Sequence, residues 1–174
     1  MNTTMTVGKG TNRQGSAVIT LPSDTEIVIT RQFDAPAALL FKAYTTPELV
    51  KRWWGYEEDA WNVCEIDLRV GGTWRYVATH TNEEGAFEVG FHGVFKELDA
   101  PHRIVSTEVF EGAPGGDENG TLNTLTFEEV DGVTTMVNHI ECGEQWIRDA
   151  IIESGMEHGM QISMDRLEDA AKSL

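Results

Sequence analysis

Five histidines, two cysteines, one Asp-x-Arg pair and a set of aromatic and methionine side chains carry the chemistry open to this sequence. His80, His92, His102, His139 and His158 show neither His-x-x-x-His nor Glu-x-x-His spacing, so they do not compose a metal site. His139 stands two residues from Glu141 at a predicted strand end, where the two could act as an acid/base pair. No Gly-x-Ser-x-Gly elbow accompanies them, and Gly71-Gly72 and Pro114-Gly115-Gly116 lack the Lys-Ser or Lys-Thr of a phosphate cradle. Arg69 follows Asp67 by two residues, which gives a local ion pair or, as the sharper alternative, a two-bonded clamp for a ligand carboxylate. Cys64 and Cys142 are far apart and outside any Cys-x-x-Cys arrangement, and they read as reduced thiols. No cofactor is implied.

The remaining candidates are apolar. Trp74, Tyr76, Phe91, Phe95, Phe110, Met136, Met156 and Met160 fall on predicted inward positions, where they could line a cavity; Met and aromatic groups suit ligands of variable shape. The same residues would equally fill an ordinary core. Trp53 and Trp54 are neighbours on a predicted short helix, about 100° apart, so one of them is expected to face a partner or a cavity mouth.

The elements that must position these residues follow from periodicity. Glu144 to Lys172 repeats apolar residues at three- and four-residue steps, from Trp146 through Met156 and Met160 to Ala171. A continuous helix there would run about 43 Å, long enough to cross a small domain. Gly155 and Gly159 weaken it, and a break is expected near Ser154-Gly155. Met1 to Ser16 lacks periodicity and reads as a loose tail, with one domain over residues 17–174. Ala17 to Leu21 predicts a short edge strand and Glu26 to Phe33 the first main strand. Asp34 before Ala35-Pro36 opens a helix through about Tyr44, and Thr46-Pro47 opens a second, short one that Gly55 stops. From Trp61 to Ile140 the period is two, broken by turns at Gly71-Gly72, Asn82 to Gly85, Asp99 to Pro101, Glu111 to Gly120 and Asp131-Gly132. The order is strand, two helices, about six strands, long helix: an α+β grip in which a curved antiparallel sheet is covered by the terminal helix.

Composition narrows the partners. The 174 residues, 40% hydrophobic, allow a sizeable core, and the formal charge of −16 disfavours nucleic acid and anionic membranes. No apolar run approaches a membrane span, and Met1 to Pro22 lacks the apolar core of a signal peptide, so a cytoplasmic address is expected.

Several motifs together resemble a known family. Arg31-Gln-Phe-Asp-Ala-Pro36, Thr46-Pro-Glu-Leu-Val50, Trp53-Trp54-Gly55, Asp67-Leu-Arg-Val-Gly-Gly72, and Gly155-Met-Glu-His-Gly-Met160 followed by Asp165-Arg166-Leu167 are similar to the START-like, Bet-v-type helix-grip (SRPBCC) superfamily. Within it they resemble the branch named after the activator of heat shock protein 90 ATPase. The resemblance implies a sheet of six or seven strands curved around the C-terminal helix, with a cavity between them. Two positions depart from the family pattern: Tyr56 replaces a Pro after Trp-Trp-Gly, and Met160 stands where Trp is common, which could enlarge the internal space or simply repack it. The function expected first is non-enzymatic: an apolar cavity for a small hydrophobic molecule, or a stress-linked role through protein contacts. A chaperone partner is the second expectation, as a cochaperone-like activator of its ATPase. The third is a polyketide cyclase or aromatase type of enzyme, with Tyr76, His139 and Arg69 moving protons. An open sheet edge and an exposed Trp would allow a homodimer.

Overall fold

A computed structural model describes residues 13–174. Eight strands form one antiparallel sheet: β1 (Val18–Thr20), β2 (Glu26–Phe33), β3 (Ala60–Ile66), β4 (Thr73–Asn82), β5 (Gly85–Asp99), β6 (Arg103–Phe110), β7 (Thr121–Val130) and β8 (Val133–Glu141). Their spatial order is β1-β2-β8-β7-β6-β5-β4-β3. Helices α1 (Ala37–Thr45) and α2 (Pro47–Val50) follow β2, and α3 (Gln145–Glu153) and α4 (Met156–Lys172) close the chain. This is an α+β helix-grip. Its strand count exceeds the expected six or seven because the short edge strand β1 pairs fully with β2.

Alternation decides which face is covered. On β2, Ile27, Ile29, Arg31 and Phe33 are buried, whereas Glu26, Val28, Thr30 and Gln32 are not. Phe33 of β2 and Trp74 and Tyr76 of β4 belong to one buried cluster, together with Met164 and Leu167 of α4. Those strands are five places apart in the sheet, about 24 Å if it were flat. The sheet must therefore wrap. Irregular pairing between Trp61 and Val63 and between Phe95 and Glu97 helps it bend. At Gly93 a Cβ would collide with the Thr107 carbonyl and stand 2.5 Å from Trp74 Nε1, so only glycine lets Trp74 lie over β5 there.

Arg31 fastens α4 to the sheet. Its guanidinium is buried, 3.2 Å from Asp165 and 3.8 Å from Glu168, lies over the Phe33 ring and donates to the Arg13 carbonyl. The Gln161 side chain adds two hydrogen bonds to the Ala17 backbone. The terminal helix breaks at Ser154-Gly155 as expected, with Gly155 at φ 78°.

Several expectations are corrected. Residues 1–12 of the predicted tail lie outside the described residues, but Arg13 to Ser16 are tied down: Arg13 bonds Asp34 and Gln32, and the Gly15 N–H donates to Asp165. Asp34 does not cap α1; its side chain takes Arg13, and Glu129 of β7 accepts the Ala37 N–H at 2.7 Å instead. Helix α2 ends at Val50, so Trp53 and Trp54 sit in the turns after it. Asp67 to Gly72 form a tight loop, held by the Gly72 N–H on the Arg69 carbonyl, rather than part of a strand. Cys64 and Cys142 are free thiols, in agreement with the sequence reading, and burial pushes Cys64 up to about 11, which keeps it protonated and unreactive. No helix among the described residues is long and apolar enough to cross a membrane.

Candidate functional site

Two hollows lie on the helix-covered side of the sheet, and they share one side chain. The smaller, about 110 Å³, is a chamber lined by Tyr44 and Thr45 of α1, Trp53 and Trp54, Trp74 and Tyr76 of β4, Phe95, Ile104, Ser106 and Glu108, and Asn123, Leu125 and Asn138. The larger, about 560 Å³, is a groove between the ends of β5 and β6, the loop after β6, and α3. Its apolar walls are Phe91, Phe110, Ala113, Pro114, Ile140, Trp146, Ile147, Ala150, Ile151 and Met156. Glu108 lines both.

The chamber is a nest of aromatic rings. Leaving the helix after Val50 frees the two adjacent tryptophans from a fixed 100° separation, and both turn inward. Trp53 is buried, donates its Nε1–H to the Ala43 carbonyl at 3.0 Å and packs against Tyr44 with ring centres 4.7 Å apart. Trp54 rests against Trp61, Tyr76 and Phe91 at 5.2, 5.7 and 5.7 Å. Trp74 and Tyr76 are 4.8 Å apart. Such tilted and edge-on pairs suit the ring quadrupoles.

Polar groups interrupt this nest at a few points. Period two along β6 puts Ile104, Ser106, Glu108 and Phe110 on one face, so a carboxyl stands on the apolar stripe. Burial raises it to about 7, although the Asn123 Nδ2–H bond to Oε2 at 3.2 Å pulls the other way. Thr121 in turn donates to Asn123 Oδ1 at 2.9 Å, fixing the amide. Burial also raises the Tyr44 and Tyr76 phenols, which stay neutral. Trp74 Nε1 and Asn138 Oδ1 are buried without a hydrogen-bond partner. Asn138 Oδ1 is thus an acceptor left without a donor at the chamber wall, a costly arrangement that a bound molecule would relieve, whereas Trp74 Nε1 lies against Gly93 of β5.

The loop roofing the groove is pinned from outside. His92 bridges Glu111 at 3.0 Å and Asp117 at 2.8 Å, and Arg75 makes two bonds to Glu111. The Arg75 bond, with help from His92, holds the Glu111 carboxyl down at about 2, and the Glu111 and Asp117 bonds hold the His92 imidazole above its ordinary value.

The residues expected from sequence divide between these places. Trp53, Trp54, Trp74, Tyr76 and Phe95 line the chamber; Phe91, Phe110 and Met156 line the groove. Phe110 takes the expected face but is 48% exposed, at the groove's lip against Phe91. Met136 is fully buried in the core and lines neither hollow, and Met160 packs between the two core clusters. Arg69 is exposed in its loop, bonded to Asp67 at 2.8 Å, and stands outside both hollows. His139 points to the other face of the sheet and meets Glu26 at 2.6 Å rather than Glu141. The exposed tryptophan is Trp146, at 49%, not Trp53 or Trp54. Sequence reasoning missed Glu108, Asn123, Asn138 and the α3 wall. A charged residue on one stripe with Ile104 and Phe110, four places from the first and two from the second, was the available signal for Glu108.

Proteins of known structure share this fold. A family model described as Activator of Hsp90 ATPase homolog 1-like protein matches residues 34–172. A solved structure from Rhodobacter sphaeroides is 26% identical with a TM-score of 0.78, over 91% of this chain and 99% of that one. Another, from Staphylococcus epidermidis, is 26% identical with a TM-score of 0.74, over 90% and 94% of the two chains. A third, from Mycobacterium smegmatis, is 22% identical with a TM-score of 0.76, over 88% and 95%. Among curated proteins, none matches by sequence.

Proposed function

Because the chain belongs to the Activator of Hsp90 ATPase homolog 1-like family, we propose that it is a non-enzymatic domain that holds a small hydrophobic molecule, body in the groove and polar end toward the chamber. The observation that carries this reading is the groove itself. At about 560 Å³ it falls within the roughly 300–1,000 Å³ of small-molecule sites, with apolar walls and one charged side chain at its inner end. Ser106, Glu108 and Asn138 in the chamber wall supply the few polar anchors such sites use. A catalytic reading has less to rest on. Of Tyr76, His139 and Arg69, only Tyr76 lines a hollow, and burial keeps its phenol protonated.

Nile red titration tests the proposal. One saturable site is expected, with binding reduced at least about ten-fold, or ~1.4 kcal/mol, in the double variant Phe110→Ser, Trp146→Ser. Both side chains are about half exposed at the groove, so their loss spares the core. Absence of saturable dye binding, together with no co-purifying small molecule in native mass spectrometry, would exclude a ligand role. The family's description also motivates a chaperone partner. That reading expects the protein to change the ATPase rate of a heat shock protein 90 chaperone, and an unchanged rate would remove it.

A further inference from the structure

Glu108 is the only charged side chain lining either hollow among the described residues; no lysine, arginine or histidine lines them. The chamber surrounds it with the rings of Tyr44, Trp54, Trp74 and Tyr76. Asn138 Oδ1 is a second acceptor there, buried and without a donor. An anionic head group would meet a carboxylate and find no compensating cation. A neutral head would leave the carboxylate, once ionised, unpaired in a poorly solvated place. A protonated nitrogen would gain a charge partner, the free amide oxygen and the electron-rich ring faces together. The formal charge of −16 also favours the approach of cations.

Resting on the hydrophobic-ligand reading above, we propose that the molecule held is an amphiphilic amine, its apolar body in the groove and its ammonium group at Glu108 and Asn138. Occupancy depends on Glu108 being ionised. The other titratable groups of the chamber wall are Tyr44 from α1 and Tyr76 from β4, both held neutral by burial, and Asn123 of β7 donates to the carboxyl. The walls from α3 and the roofing loop carry no charge. With the carboxyl near 7, amine binding strengthens as pH rises through neutrality while the amine itself stays charged.

Octylamine, octanol and octanoate share one apolar body and differ only in the head, so their displacement of Nile red reads the head alone. Octylamine is expected to bind at least ten-fold more tightly than octanol at pH 8, with octanoate weakest, and the preference should shrink at pH 5.5. In Glu108→Gln the amine-to-octanol ratio should fall close to one. Overall negative charge changes little in that variant, so a preference that survives it reflects the acidic surface and overturns the proposal. The pH comparison on the unaltered protein decides the matter if the variant misfolds. Binding of octanol without an amine preference overturns the amine assignment and leaves the hydrophobic-ligand reading standing. Failure of all three to displace the dye overturns both.

Discussion

Glu108 shows how one side chain can be unfavourable for stability and useful for recognition. Its carboxyl, ordinarily at 4.5, lies at about 7 in the fold, so folding favours the protonated form. The sign follows from linkage: stability is fully present below the ordinary value and is lost as pH rises through about 7, because the unfolded chain releases its proton first. A full shift of this size would correspond to ~3 kcal/mol, but the side chain keeps some accessible surface in the hollows, so about 2 kcal/mol is the better figure. Glu108→Gln removes the titration while keeping the shape. Relative to the unaltered protein, it should gain about 2 kcal/mol of stability between pH 5 and pH 8, read by urea unfolding at each pH. A difference that stays flat with pH would mean the carboxyl is solvated in the fold.

Among the elements, the break between α3 and α4 matters most, because it gives the two helices different tasks. α4 buries Met164, Leu167 and Ala171 and is fixed by Arg31, whereas α3 is free to wall the groove with Trp146, Ile147, Ala150 and Ile151. A single straight helix could not serve both. Gly155 permits the turn at φ 78°, and no atom lies within 4 Å of where its Cβ would be. The cost of Gly155→Ala is therefore confined to the backbone, about 1–2 kcal/mol for the left-handed conformation, visible as a lowered urea midpoint. An unchanged midpoint would show that the helices can fuse and that the groove wall does not need the bend. The break was legible in the sequence because glycine inside an apolar repeat is a local signal. The capping of α1 was not, since Glu129 reaches it from 92 residues away.

For the whole molecule, 29 acidic residues against 13 basic ones leave a self-repelling surface. Adding salt screens that repulsion. Raising NaCl from about 0.02 M to about 0.3 M should lift the melting temperature by roughly 2–4 °C, equivalent to about 1 kcal/mol at this size. A fall instead would mean that attractive pairs, such as those joining Arg75, Glu111, His92 and Asp117, outweigh the repulsion. Local alternation, turn residues and the C-terminal repeat determined the strands, the hairpin at Asp131-Gly132 and the helix that covers the sheet, because each depends on neighbours within a few positions. They also named the aromatic lining, since period two alone puts Trp74 and Tyr76 on one face. Only the tertiary structure decided the rest. It placed Arg69 and His139 outside the hollows, filled the core with Met136, and set Glu108, Asn123 and Asn138 from three strands around one chamber. The physical reason is that a sequence period says which face a residue takes, while what it meets there depends on how far the sheet curves and which helix closes over it.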